Sequence, residues 1–208
     1  MTTINYGIVT LANCEPSYRE TAFGLMSKFG EELKSDAGAL VVRYGYFGTG
    51  LDAGALVFTQ LYEDLDGFDK AQNVYSDSGF YKSLIESGKV SVIMRNIVRM
   101  VPIEFTPGSD NDPKYMVFTK AKIMLEDKNS AMDGVAQIAK VFSDNGAITL
   151  RFGQLITGSS VGEYLLAVSY PSMDSIEKTY DELNENLNYK NLVNKVDVNR
   201  REIVRLMS

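Results

Sequence analysis

Histidine and tryptophan are both absent from this 208-residue chain, and cysteine occurs once. Without histidine there is no imidazole base, no Ser-His or Cys-His nucleophile pair, and no histidine ligand for haem, zinc or iron. The single cysteine, Cys14, rules out a disulfide framework within the chain and fits a reducing compartment. These absences exclude most of the metal centres and nucleophilic sites that can be identified from sequence.

Long apolar runs and an excess of basic residues are also missing. No run approaches the roughly 18 apolar residues that span a bilayer, and the N-terminus lacks the basic and apolar regions of a signal peptide. The net charge of -6 argues against broad contacts with nucleic acid or an anionic membrane. We therefore expect a cytoplasmic protein with no metal, no cofactor, no nucleic-acid partner and no membrane partner.

What the chain does contain is an internal repeat at an offset of 108. Segment 39–45 returns as 147–153, and the register holds as far as residues 84 and 192. Of the 47 pairs between 38/146 and 84/192, 13 are identical, where unrelated stretches would share about three. We infer a tandem duplication, with copy one at residues 1–105, a polar, proline-bounded linker at 106–113, and copy two at 114–208.

Each copy shows the order strand, helix, strand, strand, helix, strand. Helices are predicted to open at Ser17 and near Asp64 in copy one, and near Ser130 and Ser172 in copy two. The predicted strands are 6–11, 39–47, 55–62 and 90–101, and then 115–123, 147–156, 163–170 and 198–207. The order βαββαβ is the split-βαβ, ferredoxin-like unit.

Glycines between the second and third strands of each copy predict tight turns. Gly50 and Gly54 recur as Gly158 and Gly162, positions that we expect to need unusual backbone angles. A single βαββαβ unit leaves the second face of its sheet uncovered. A second copy in the same chain can cover that face, which is a physical reason to duplicate.

The second helix of each copy resembles a known superfamily. The pattern is Asp66-x-Phe68-x-Lys70 and Ser76-Asp77-x-x-Phe80-Tyr81-x-x-Leu84, repeated as Asp174-x-Ile176-x-Lys178 and Asn188-Tyr189-x-x-Leu192. It is similar to the dimeric α+β barrel superfamily, which includes antibiotic-biosynthesis monooxygenase-like, EthD-like and NIPSNAP-like proteins. The resemblance implies an α+β fold in which two tandem ferredoxin-like units form an intramolecular dimeric α+β barrel.

The resemblance does not imply one particular activity. Members of the superfamily include cofactor-independent oxygenases, isomerases, haem enzymes and proteins without known activity. The haem members use a histidine ligand, which this chain lacks. No catalytic residue set is common to the superfamily, so none is carried over to this chain.

Two arginines kept in both copies are candidate ligand-binding residues. Arg43 and Arg151 lie in the middle of equivalent predicted strands, on the face opposite the apolar side chains. One interpretation is a cationic group that binds a carboxylate, phenolate or enolate inside the barrel or a cleft. The other is a structural arginine that forms an ion pair or extends to water.

Hydroxyl side chains on the first strand of each copy form a second candidate set. Tyr6 and Tyr115 open these strands, and Thr10 and Thr119 follow four residues later on the same face. They either form hydrogen bonds to a ligand in an aromatic-lined cavity or complete the edge of the core with satisfied hydroxyls.

Three functions are compatible with these residues. The favoured one is the binding of a small apolar or aromatic ligand, with or without a negative charge, in a cleft of the pseudo-dimer. The alternative is a cofactor-independent monooxygenase or isomerase that acts on a phenol or enol, with Arg43 or Arg151 stabilising the anion. A second alternative is a non-catalytic scaffold for protein interaction. The chain is expected to be a monomeric pseudo-dimer or a homodimer, and enzymatic activity is left open.

Overall fold

The computed structural model describes residues 3–207, which form eight β-strands and six α-helices. The first βαββαβ set is β1 (Tyr6–Cys14), α1 (Arg19–Ala37), β2 (Val41–Phe47), β3 (Leu56–Tyr62), α2 (Leu65–Asp77), α3 (Gly79–Glu86) and β4 (Val90–Val101). The second is β5 (Tyr115–Ile123), α4 (Lys128–Asp144), β6 (Thr149–Leu155), β7 (Tyr164–Tyr170), α5 (Met173–Glu185), α6 (Leu187–Val193) and β8 (Val196–Leu206). The predicted α+β class and the predicted element order are confirmed.

The described chain divides into two compact units. Unit 1 comprises residues 3–100, 156–159 and 205–207, and unit 2 comprises residues 101–155 and 160–204. Segments 156–159 and 205–207 belong to unit 1, and backbone hydrogen bonds connect both of them to strands of that unit. The amide of Ile156 donates to the carbonyl of Ile97 on β4, and the amide of Met207 donates to the carbonyl of Tyr44 on β2, each at 2.9 Å. The boundaries of the two sequence copies stay a prediction.

Unit 1 contains an antiparallel sheet in the order β4-β1-β3-β2. Side chains alternate between the two faces of a strand, so one face of the sheet takes every second residue. On that face Ile8, Val42 and Phe58 pack with Phe29 and Leu33 of α1 in one buried core, which α2 and α3 complete. Burial of side chains of this size stabilises the fold by roughly 1.5–3 kcal/mol each.

Unit 2 has the corresponding order β8-β5-β7-β6. Helices α4, α5 and α6 pack against one face of this sheet. Val117 and Leu150 from the strands meet Ile138 and Phe142 from α4 in a second buried core. Each unit therefore has its own layer of apolar side chains between helices and sheet.

The predicted starts of the first helices are wrong by a few residues, in opposite directions. Residues Pro16–Tyr18 form a 3-10 turn that begins at a proline, and α1 starts only at Arg19 without a side-chain cap. Proline at the start of a turn fixes φ near the helical value, so the chain turns before Ser17 can act as a cap. Helix α4 starts at Lys128, which leaves Ser130 inside the helix.

The second helices begin as predicted but then break. The carboxylate of Asp64 accepts from the amide of Gly67, and the hydroxyl of Ser172 accepts from the amide of Ser175, both at 3.1 Å. Each helix ends at a residue with an extended ψ, Ser78 or Asn186, whose side chain caps a further short helix. The single predicted helix is therefore two helices in each unit, and the second of them changes direction.

The turn glycines are confirmed. Gly50 and Gly54 have φ values of 84° and 94°, and Gly158 and Gly162 have φ values of 85° and 90°. Residues other than glycine rarely adopt these values, which explains why the sequence keeps glycine there. Among residues 3–207, no helix combines the length and the apolarity needed to cross a membrane.

Candidate functional site

An arginine on the last strand of unit 1 lies between the sheet and the helices. Arg95 is directly opposite Thr10 in the pairing of β4 with β1, and its Nε donates to Oγ1 of Thr10 at 3.2 Å. Its Nη2 donates to the hydroxyl of Tyr81 on α3 at 3.2 Å. The guanidinium carbon lies 3.9 Å from the centre of the Tyr75 ring on α2. Side chains of three other elements therefore hold this one cation.

Unit 2 contains the same arrangement. Arg201 on β8 donates through Nε to Oγ1 of Thr119 on β5 at 3.3 Å, and through Nη2 to the hydroxyl of Tyr189 on α6 at 2.9 Å. Its guanidinium carbon lies 4.7 Å from the centre of the Tyr180 ring on α5. The chain thus builds an arginine, threonine and two-tyrosine cluster twice.

The two arginines share one electrostatic property. Neither forms an ion pair with a carboxylate anywhere in residues 3–207. Arg95 is half-buried, whereas Arg201 is exposed at the edge of its cluster. Arg95 is partly removed from water without a paired charge. Arg201 is held by hydroxyls and a ring but reaches solvent, so an external anion can approach it.

Each arginine borders a cavity with apolar walls. The cavity in unit 2 has a volume of about 60 Å³ and the cavity in unit 1 about 40 Å³. The walls in unit 2 include Ile138, Phe142, Phe152, Tyr164 and Leu183. Since one water needs roughly 10–15 Å³ of such space, the larger cavity takes a group of a few non-hydrogen atoms.

Burial keeps one tyrosine of each cluster, Tyr75 or Tyr180, protonated. Loss of solvent raises the pKa of Tyr180 above its ordinary value, although Arg201 opposes this rise. The pKa of Tyr75 is raised for the same reason, with Arg95 opposing. A protonated phenol can donate a hydrogen bond to an oxyanion, so Tyr75 and Tyr180 act as donors rather than as bases. No carboxylate lines either cavity among the described residues, and the site lacks a general base there.

The structure brings only some of the predicted site residues into these clusters. Thr10 and Thr119 are buried and accept the hydrogen bonds from the arginines. Tyr6 and Tyr115 are half-buried at the starts of β1 and β5, outside the cavity walls. The threonines therefore belong to a recognisable site, and a ligand-binding role for the two tyrosines stays a prediction.

The two predicted arginines lie on the other face of their sheets. Arg43 is adjacent to Val42, which packs under the helices, so its side chain leaves the opposite face. Its Nη1 donates to the carbonyl of Val42 at 3.5 Å. Arg151 is exposed, donates to the carbonyl of Leu150 at 3.3 Å, and has a pKa lowered by loss of solvent. Neither shares a cavity with the threonines, and their ligand-binding roles stay predictions.

The arginines of the clusters are absent from the sequence-based candidates because the offset between copies drifts. Thr10 and Thr119 correspond at an offset of 109, whereas Arg95 and Arg201 correspond at 106. A comparison at the offset of 108 therefore does not pair Arg95 with Arg201, whereas Thr10 and Thr119 are among the residues predicted from the sequence. At the offset of 108, the repeat does pair Tyr81 with Tyr189, the tyrosines whose hydroxyls contact the two arginines.

The residues do not fit a histidine-ligated haem. The chain contains no histidine. The two apolar cavities, at about 60 and 40 Å³, are also far too small for a porphyrin. Among residues 3–207 there is no group of three or more potential metal-ligating side chains.

Solved structures define the class of fold. A candidate monooxygenase from Fusobacterium nucleatum subsp. nucleatum has a TM-score of 0.74 at 11% identity, covering 100% of this chain and 94% of its own. A candidate monooxygenase from Lactobacillus acidophilus NCFM has a TM-score of 0.64 at 11% identity, with coverages of 99% and 94%. Chlorite dismutase from Candidatus Nitrospira defluvii in complex with imidazole has a TM-score of 0.64 at 10% identity, with coverages of 98% and 90%. At these identities the likeness shows the α+β fold alone.

A sequence profile then identifies the family. The profile of a family described as Domain of unknown function (DUF6854) matches residues 4–100 and again residues 113–206. The chain belongs to this family. Among curated proteins, none matches the chain.

Proposed function

We propose that unit 2 binds a small ligand whose apolar or aromatic body enters the cavity and whose negatively charged oxygen meets Arg201. One observation carries this proposal. A cation without a carboxylate partner in the described chain stands at the edge of a cavity with apolar walls. Sites for small molecules commonly combine apolar walls with a few convergent polar groups.

The guanidinium retains donors for such a ligand. The hydrogen bonds to Thr119 and Tyr189 use the Nε hydrogen and one Nη2 hydrogen. A guanidinium carries five N–H donors in a planar fork, which leaves three of them for an anion. A carboxylate matches that fork with two parallel hydrogen bonds. The ligand class is therefore a small carboxylate or a similar oxyanion, with a short aliphatic chain or with one ring that enters the cavity only in part.

Binding without turnover agrees best with the protonation of the site. Tyr180 is held protonated by burial, which raises its pKa, and no carboxylate lines the cavity in the described chain. Abstraction of a proton from a ligand needs a base near its own pKa. The cluster can stabilise an oxyanion, but it offers no group that creates one.

Cofactor-independent oxygenation or isomerisation is the second candidate function. The similarity in fold to two candidate monooxygenases favours it. The donor cluster would stabilise an enolate or phenolate oxygen. Such a substrate would have to arrive already ionised, because no carboxylate lines the cavity in the described chain and Tyr180 is held protonated.

We also propose that the two units arose by tandem duplication. One family profile matches two successive stretches of the chain. The arginine, threonine and tyrosine cluster recurs on equivalent elements of both units. Descent of both units from one ancestral unit accounts for a shared cluster that later diverged in detail.

The test is a titration with benzoate, with uncharged benzyl alcohol as the matched control ligand. We expect benzoate to bind the native chain and Arg201→Ala to raise its Kd by about tenfold or more, since a charged hydrogen-bonded pair is lost. The control variant is Arg151→Ala, which removes an exposed arginine from the other face of the same sheet. Equal losses in both variants, or tighter binding of benzyl alcohol, would contradict the proposal.

A further inference from the structure

Two buried positions distinguish the cavity regions of the two units. Gln60 on β3 corresponds to Val168 on β7, and Tyr75 on α2 corresponds to Leu183 on α5, both at an offset of 108. All four side chains are at least nine-tenths buried. Because all four side chains are buried, the two units differ at these positions in the polarity and the volume of the side chains.

In unit 1 these positions form a closed network. The amide of Gln60 donates to the hydroxyl of Tyr75, and the hydroxyl of Tyr62 donates to the amide oxygen of Gln60 at 2.8 Å. The Tyr75 ring meets the Tyr81 ring edge-on, with centres 4.7 Å apart, and covers the guanidinium of Arg95. The Tyr75 ring therefore contacts both the Tyr81 ring and the Arg95 guanidinium, and its hydroxyl accepts a hydrogen bond from Gln60.

In unit 2 the network is missing. Leu183 and Val168 have no polar atoms, and Tyr170, the counterpart of Tyr62, is fully buried. The hydroxyl of Tyr170 has no hydrogen-bond partner in residues 3–207, and the hydroxyl of Thr179 donates to the carbonyl of Ser175. The region that the Tyr75 ring fills in unit 1 is lined in unit 2 by a smaller side chain.

The ring that covers the arginine has also moved outward in unit 2. Tyr180 lies three residues before Leu183, nearly one turn earlier on α5, and it is half-buried where Tyr75 is buried. Its ring centre is 4.7 Å from the guanidinium carbon, against 3.9 Å for Tyr75 in unit 1. The cavity beneath it is the larger one, at about 60 Å³ against about 40 Å³.

We infer that each chain binds one ligand, in unit 2, and that Tyr75 with Gln60 fills in unit 1 the place that the ligand takes in unit 2. Leu183 and Val168 are then the residues that determine which unit accepts a ligand. The side chain of Tyr75 acts as an internal counterpart of the part of the ligand that enters unit 2. This inference rests on the proposed function of the unit 2 cavity.

The experiment counts sites with 4-fluorobenzoate by fluorine NMR. The native chain should bind one equivalent. The variant Val168→Gln/Leu183→Tyr gives unit 2 the side chains of unit 1 and should bind none. The variant Gln60→Val/Tyr75→Leu gives unit 1 the side chains of unit 2 and should bind two equivalents. It removes both partners of a hydrogen bond together, so no amide is left unsatisfied, and circular dichroism verifies its folding.

A second pair of variants decides the question if either core variant fails to fold. Arg201→Ala should abolish binding, and Arg95→Ala should leave both the stoichiometry and the Kd within about twofold of native. Two equivalents bound by the native chain, or loss of binding in Arg95→Ala alone, would overturn the inference while leaving a ligand site in the protein. Absence of any binding to the native chain would instead remove the proposed function itself.

Discussion

At the scale of single residues, Arg95 and Arg201 show how a cation is positioned without a carboxylate. Each has a threonine and a tyrosine hydroxyl as acceptors and a tyrosine ring against the guanidinium. Hydrogen bonds to a charged group contribute about 1.5–3 kcal/mol and a cation–π contact about 0.5–2 kcal/mol. These neutral partners fix the orientation of the guanidinium while leaving its charge available to a ligand.

The two fully buried tyrosines at equivalent strand ends give a matched test of hydrogen bonding. Tyr62→Phe removes a donor to Gln60, and it should lower the free energy of unfolding by about 1–3 kcal/mol because a buried amide oxygen is left unsatisfied. Tyr170→Phe removes a hydroxyl that has no partner in residues 3–207. That change should be neutral or stabilise the protein by about 1 kcal/mol, because an unpaired buried hydroxyl is itself destabilising.

Urea denaturation of the two variants beside the native chain measures both effects. The same ring is kept in each case, so differences in packing cancel in the comparison. A larger loss for Tyr170→Phe than for Tyr62→Phe would show that unit 2 holds a partner for that hydroxyl.

At the scale of elements, the break in the second helix of each unit places a tyrosine at the arginine. Ser78 and Asn186 cap α3 and α6, the short helices that carry Tyr81 and Tyr189. The side chain of Asn186 accepts from the amides of both Asn188 and Tyr189. The cap therefore orients the residue whose hydroxyl meets the guanidinium of the unit 2 site.

Removal of each cap should lower the stability of the protein, but only one of the two should also weaken ligand binding. Ser78→Ala and Asn186→Ala should each lower the free energy of unfolding by about 1 kcal/mol, the usual loss for a helix N-cap. Only Asn186→Ala should also weaken benzoate binding, by about threefold to tenfold, because the misplaced Tyr189 no longer holds Arg201. Unfolding by urea and titration by NMR give the two readouts. Equal effects of both variants on binding would contradict this role.

At the scale of the whole molecule, unit 1 depends on segments that come late in the chain. Ile97 accepts from Ile156, and Tyr44 accepts from Met207, so β4 and β2 are paired by residues far away in sequence. A side chain at Gly45 would collide with the carbonyl of Arg205, which shows how closely residues 205–207 of the same unit approach β2. Without these segments both edges of the unit 1 sheet present unpaired backbone groups.

A truncated chain of residues 1–106 should therefore fail as a folded monomer. We expect it to self-associate or to unfold without cooperativity, since two strand edges are left open. Analytical ultracentrifugation and a thermal melt measure the two outcomes. A cooperative, monomeric fragment would refute this prediction. Whether the intact chain is a monomer or a homodimer also stays a prediction, as does its cytoplasmic location.

The sequence by itself determined the order of the elements. The repeat predicts two βαββαβ units, and the glycines at 50, 54, 158 and 162 lie at backbone angles that require them. The helix caps Asp64 and Ser172 can also be predicted from the sequence, because each cap accepts a hydrogen bond from an amide only three residues away. Local chemistry is sufficient for features that are made by neighbours in the chain.

Only the tertiary structure decided which cations belong to a site. Arg43 is the more evident repeat, yet it leaves the sheet face opposite the cavities, while Arg95 lies opposite Thr10. Strand register sets that pairing, and the register of β4 against β1 shifts between Leu11 and Ala12, where Ile93 of β4 is the extra residue. A shift by one residue moves a side chain to the other face of a sheet. Because faces and registers arise from pairing between distant segments, no fixed offset along the chain could identify the cluster around Arg201.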